Sequence, residues 1–178
     1  PADVSTIAIS LPETIERRRA FQGIAPFDCL LFDGMRGFPG WVGCGLSYQA
    51  VAYHALRNHK RRLLVMEDDV LLPADYSSTI ALVHEYLDVK NDLWDIFCGV
   101  IAAVHPDTQI VAVEPYKGVL FLTIDRMTST VFNIYSERAL RMLTEWNPDH
   151  LNAQANTIDQ FLGTREGLRV IVALPFIA

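Results

Sequence analysis

Apolar and polar positions alternate with two different periods along this chain, and the switches between them mark out the elements. Val4 to Leu11, "VSTIAISL", alternates and is rich in β-branched residues, which predicts a first strand. "PETIERRRAFQ" then fits a short amphipathic helix, with Pro12 in its first turn and Glu13 and Glu16 near its positive end. "FDCLLFDG", Phe27 to Gly34, predicts a second strand stopped by Asp33-Gly34, and the glycine-rich "MRGFPGWVGCG" after it predicts a loop. From Gly45 to His59, Leu46, Ala50, Tyr53 and Leu56 recur at steps of three and four, as on a core-facing helix. "LLVMEDD" reads as a buried strand ending in acids, and "YSSTIALVHEYLDVK" as the next helix, with Ile80, Val83, Tyr86 and Leu87 on one face. "LWDIFCGVI", "KGVLFLTI" and "TSTVFNI" predict strands; "SERALRMLTEW" predicts a helix capped near Ser136. The last segment holds a short helix in "NTIDQFLGTREG", with Asn156 or Thr157 near its cap, and an apolar strand, "LRVIVALP". Strand and helix alternate early and strands cluster late. That order predicts a three-layer α/β, Rossmann-like domain around a mostly parallel mixed sheet, spanning residues 1–178.

Composition narrows the function classes. With 178 residues, 51% hydrophobic and 20% charged, the chain is sized for one domain with a substantial core. Its 21 acids against 15 bases, net charge -6, argue against a nucleic-acid partner bound through a broad basic surface. Cys29, Cys44 and Cys98 are odd in number and form no CxxC pair, which suits reduced thiols and a cytoplasmic location, with peripheral contact at an inner membrane allowed. No apolar run approaches the length of a transmembrane helix.

Candidate chemistry centres on Glu67, Asp68 and Asp69. In open α/β sheets, ligands sit beyond the carboxyl ends of the strands, where this string would be delivered. Alternation would turn Glu67 and Asp69 to one side and Asp68 to the other. Adjacent carboxylates repel unless something positive compensates them, and Mg²⁺ or Mn²⁺ bridging to a diphosphate would do so. The competing reading is a solvated strand exit. Gly43, Cys44, Gly45 and Ser47, read as a helix start, could offer backbone N–H groups to an anionic donor, and Ser47 fits a capping or packing task equally well. No GxxxxGK[ST] loop or nucleophile elbow is present, and His54 and His59 are spaced so that they do not share a helix face.

"LLVMEDD" alone resembles the first strand of response-regulator receivers, which bind Mg²⁺ through paired acids. That family opens on the motif and needs a later strand ending in Asp, whereas "DLWDIFCG" ends in Phe97, Cys98 and Gly99. Five blocks in order, "ISLPETIERRRAF", "GWVGCGLSYQAVAYHAL", "LLVMEDDVLLPADY", "TSTVFNIYSERALRML" and "TIDQFL", resemble glycosyltransferase family 25, the lipopolysaccharide-type and collagen-type enzymes of GT-A fold. The resemblance implies an inverting transfer of galactose or glucose from a UDP-sugar to a glycan or glycolipid acceptor, with Mn²⁺ or Mg²⁺. It implies Asp69 as metal ligand and Glu67 beside the ribose or the metal's water. Asp68 would lie at the edge of the donor site, and is the one of the three best suited to a structural role. Arg17 and Arg18 would approach the donor, with Gly43 and Ser47 beside it, and Asp159 would be the base. Tyr48 stands where the family carries His after "LS", and the Glu ahead of "GC" is missing. A catalytically silent nucleotide- or glycan-binding module is therefore the alternative. The family also continues beyond "ALPFIA" with a polar segment, so a C-terminal piece is expected to be missing.

Overall fold

The computed structural model describes residues 4–26, 28–149 and 156–177. Eight strands form one sheet: β1 (Val4–Ser10), β2 (Cys29–Asp33), β3 (Arg62–Glu67), β4 (Ile96–Cys98), β5 (Ile110–Tyr116), β6 (Val119–Ile124), β7 (Phe132–Ser136) and β8 (Val170–Leu174). Their spatial order is β2-β1-β3-β7-β4-β8-β6-β5. β1 pairs in parallel with β2 and β3, and β4 with β8, whereas the β3–β7, β7–β4, β8–β6 and β6–β5 pairings are antiparallel. Six strands thus run one way, with β7 and β6 reversed, and the expected α/β class with a mixed sheet is the one observed.

The helices are α1 (Ile15–Ile24), α2 (Gly40–Arg57), α3 (Tyr76–Lys90), α4 (Glu137–Thr144) and α5 (Ile158–Gly163). Alternation along the strands sorts the core into two layers. Ile7, Leu63, Val65, Tyr135 and Val172 face α2, α4 and α5, which contribute Tyr48, Val51, Leu140 and Leu162, with Trp146 added from just beyond α4. Ala8, Leu64, Met66, Ile134 and Ile171 face the opposite way, toward Phe21 of α1 and Val83, Tyr86 and Leu87 of α3. Three layers result, with the sheet in the middle.

Two departures from the sequence reading have clear causes. Gly40 to Cys44, expected in a loop, form the first turn of α2 behind Pro39 as N-cap. Tertiary contact decides it: a Cβ on Gly43 would lie 2.4 Å from Met35 O, and one on Gly45 2.4 Å from the Trp146 ring, so these glycines serve close packing within a helix. β5 was not anticipated; its Val111 and Val113 are exposed and it contains Pro115, signals that weaken a strand assignment. It is fixed by pairing with β6 through Lys117-Gly118, both at positive φ as a two-residue hairpin turn requires. Pro12 lies in the turn before α1 instead of in its first turn. Phe27, the expected start of the second strand, lies outside the described residues.

Candidate functional site

The chain runs from β1 out to β2 at the sheet edge and returns over the other face to β3, on β1's far side. α1 and α2 consequently cover opposite faces, and the carboxyl ends of β1 and β3 open a crevice between them. Such a topological switch point is where open α/β sheets bind ligands. β1 ends there in Ser10 and β3 in Glu67, followed directly by Asp68 and Asp69.

The three acids meet three different environments. Asp68 is only 4% exposed. Its Oδ2 accepts from Ser10 Oγ at 2.6 Å, and its Oδ1 lies 2.7 Å from Arg17 Nε. Thr14 Oγ1 sits 2.8 Å from Leu11 O and 3.3 Å from the same Asp68 Oδ2, so its single proton serves one of them at a time. Both carboxylate oxygens are therefore engaged, at the N-terminal end of α1 where negative charge is favoured. Asp69 is half exposed, and among the described residues it pairs with Arg17 Nη1 at 3.5 Å.

Glu67 faces α2. The phenol of Tyr48, fully buried, lies 3.2 Å from Glu67 Oε1 and donates its better bond, 2.7 Å, to Thr130 O. Burial above all, with the charges of Asp69 and Asp68 added, pushes the Glu67 carboxyl above its ordinary value, against hydrogen bonds from Thr130 and Tyr48 that lower it. Burial and the nearby Glu67 charge likewise drive the Tyr48 phenol well up. The expected pairing of Glu67 with Asp69 is not what the backbone delivers: β3 ends at Glu67, alternation stops, and Asp69 shares Arg17 with Asp68.

Other expected residues divide. Arg17 is at the crevice, but Arg18 turns to Asp33 at the end of β2, 2.5 Å away. Gly43 lies in the first turn of α2, packed under the Met35–Gly37 loop. Ser47 is buried; its Oγ accepts from Met35 N at 2.7 Å and donates to Gly43 O at 2.7 Å, so it pins that loop to α2. Asp159 begins α5, and its Oδ1 accepts from Thr157 Oγ1 at 2.6 Å and from Gln160 N at 2.9 Å. Burial, then the charges of Glu67 and Asp159, push the Cys44 thiol up to about 12. Ser10, Thr14 and Thr130 were missed. Ser10 and Thr14 do carry a signal, since each is a hydroxyl at the boundary of a predicted element, but only the β1–β3 pairing shows that they converge on Asp68.

Among the described residues, no three His, Cys, Asp or Glu side chains are grouped to hold a metal ion by themselves. Asp68 has no oxygen to spare, and Glu67 is buried against Tyr48 and Thr130. Asp69 remains as an accessible hard donor. This donor set fits a Mg²⁺ or Mn²⁺ ion that takes one carboxylate from the protein and completes its shell with phosphate and water. No family model and no curated protein matches the chain.

Proposed function

We propose that the chain is an inverting, metal-dependent glycosyltransferase that moves a hexose, galactose or glucose, from a UDP-sugar to a hydroxyl of a glycan such as a lipopolysaccharide. The observation that carries the reading is an imbalance: Asp68 and Asp69 share one guanidinium, Arg17, and Glu67 adds a third carboxyl whose charged neighbours among the described residues are those two acids. The five-block resemblance to glycosyltransferase family 25 supports it from the sequence side. In this reading Asp68 is a positioning residue. It holds Nε of Arg17, and the remaining guanidinium edge is left beside Asp69 to meet a diphosphate. Asp69 would hold the cation, which when bound stabilises negative charge developing on the departing UDP. Among the described residues only Oδ1 of Asp159 is anchored, and its carboxylate would take the acceptor hydroxyl's proton.

Tyr48 favours a second reading, a binding module without turnover, because its buried phenol holds Glu67 as a structural acid. One experiment separates the two. The protein is incubated with a panel of UDP-sugars and Mn²⁺ while UDP release is followed. Turnover that falls about 100-fold or more in Asp69→Ala, and is unchanged in Asp92→Ala at an exposed turn on the far side of the sheet, supports the transferase. Binding of UDP-sugar without release across the panel supports the module, and neither binding nor release overturns both.

A further inference from the structure

The connections that follow β1 and β2 meet over the carboxyl end of β1, and their contacts fix where each lies. Gly34 N, just past β2, donates to Ser10 O at 2.8 Å, and a Cβ on Gly34 would lie 3.3 Å from the Ile9 side chain. The β2–α2 connection therefore crosses the end of β1 beside Ser10, whose hydroxyl holds Asp68. Its next residues are clamped to α2: Met35 N donates to Ser47 Oγ at 2.7 Å, and a Cβ on Gly37 would lie 2.3 Å from Gly43 N. Arg36 stands between those two anchors, and its Nη2 reaches Glu13 Oε1 in the turn before α1. Thr14, the next residue, sits 3.3 Å from Asp68 Oδ2. Arg36 thus spans the crevice mouth from the α2 wall to the α1 wall.

The backbone that carries Arg36 is held on both sides, so exchange of its partner needs only its side chain to move. The Arg36 and Glu13 side chains are 73% and 37% exposed, and no helix among the described residues is long and apolar enough to cross a membrane. An ion pair open to water contributes little and is readily exchanged. Phosphate oxygens suit a guanidinium fork as well as a carboxylate does and carry more charge. Arg18, expected here, turns to Asp33 instead. Arg17 and Arg36 therefore bring a guanidinium from each wall.

We propose that Arg36 is a second diphosphate-binding residue of the crevice, held on Glu13 until the diphosphate takes it, and that Glu13 is the competing carboxylate that tunes affinity. The inference rests on the reading of the crevice as a nucleoside-diphosphate site, to which it adds a ligand-binding residue and its internal competitor. Calorimetry of the full chain with UDP and with uridine, each with Mn²⁺, tests it. Arg36→Gln should weaken UDP binding roughly 10-fold, leaving uridine affinity and the thermal midpoint unchanged. Arg36→Lys, which keeps the charge and loses the fork, should fall between. Glu13→Gln should act in the opposite direction and tighten UDP about 3-fold. In the Arg36→Gln background the same change should do nothing further, because its effect runs through Arg36. A bridge that is merely structural would weaken binding when either end is removed. Unchanged UDP affinity in Arg36→Gln, weakening by Glu13→Gln, or an equal gain from Glu13→Gln in both backgrounds overturns the inference and leaves the nucleotide-site reading standing. Failure of the wild-type protein to bind UDP overturns both.

Discussion

Asp68 and Asp95 are both buried aspartates at strand ends, 4% and 1% exposed, and both are paired with an arginine that is itself about half exposed. Asp95 precedes β4 on the rim opposite the crevice. Arg138 Nη1 lies 3.0 Å from each of its oxygens, and Arg169 N donates to Oδ2 at 2.9 Å, so one carboxylate ties β4 to α4 and β8. Its own backbone adds to this through Asp95 N to Arg169 O and Ser136 N to Asp95 O. Asp68 is satisfied just as fully by Ser10, Thr14 and Arg17. A buried, paired acid is therefore no sign of a site. The difference lies in the neighbours: Asp95 and Arg138 balance, whereas Arg17 is shared between Asp68 and Asp69, with Glu67 adding a third carboxyl.

The comparison breaks most readily through stability. Asp95→Ala removes charge-assisted bonds to Arg138 and to Arg169 N, and should cost about 3 kcal/mol in chemical denaturation without altering UDP release per folded molecule. Asp68→Asn keeps one acceptor oxygen for Ser10 and Thr14 and should cost less, about 2 kcal/mol, while lowering UDP release about 100-fold by freeing Arg17. If both aspartates cost stability alone, Asp68 is a staple like Asp95.

The arginine partners sharpen it. Arg17→Gln and Arg138→Gln each leave a buried aspartate to neutral donors, and should each cost about 1–2 kcal/mol. Only Arg17→Gln should weaken UDP binding, as read by calorimetry with UDP and Mn²⁺. Equal UDP affinity in both would remove Arg17 from the site.

Glu67→Gln gives the smallest effect, of opposite sign. The folded-state carboxyl is raised, so the stabilising proton is fully held below the ordinary glutamate value and is lost as pH rises through the folded value. Above the folded value the ionised Glu67 is a burden, and the isosteric amide should raise stability there. That gain should shrink toward zero below the ordinary carboxylate range. A thermal midpoint that drops at neutral pH would mean that Tyr48 and Thr130 need the charge.

Much of the frame was legible. The strand "LLVM" and the helix Tyr76 to Lys90 follow from apolar period alone. The cap at Ser136 was also readable, and its Oγ accepts from Ala139 N at 3.2 Å. The start of α2 was hidden because its glycines read as loop while their actual service is to Met35 O and Trp146. β5 was hidden because an edge strand with outward valines has no alternation against a core.

At the candidate site, local pattern determined that three acids leave a central strand together. Tertiary structure decided their parts. Pairing of β1 with β3 brought Ser10 to Asp68, the fold of α1 over one face brought Arg17, and α2 over the other brought Tyr48 to Glu67. Periodicity reports which side of a strand a residue faces, because that depends on its neighbours in the chain. Whether a carboxylate is paired, buried or left for a ligand depends on groups 19 to 58 residues away, and no local pattern encodes their arrival.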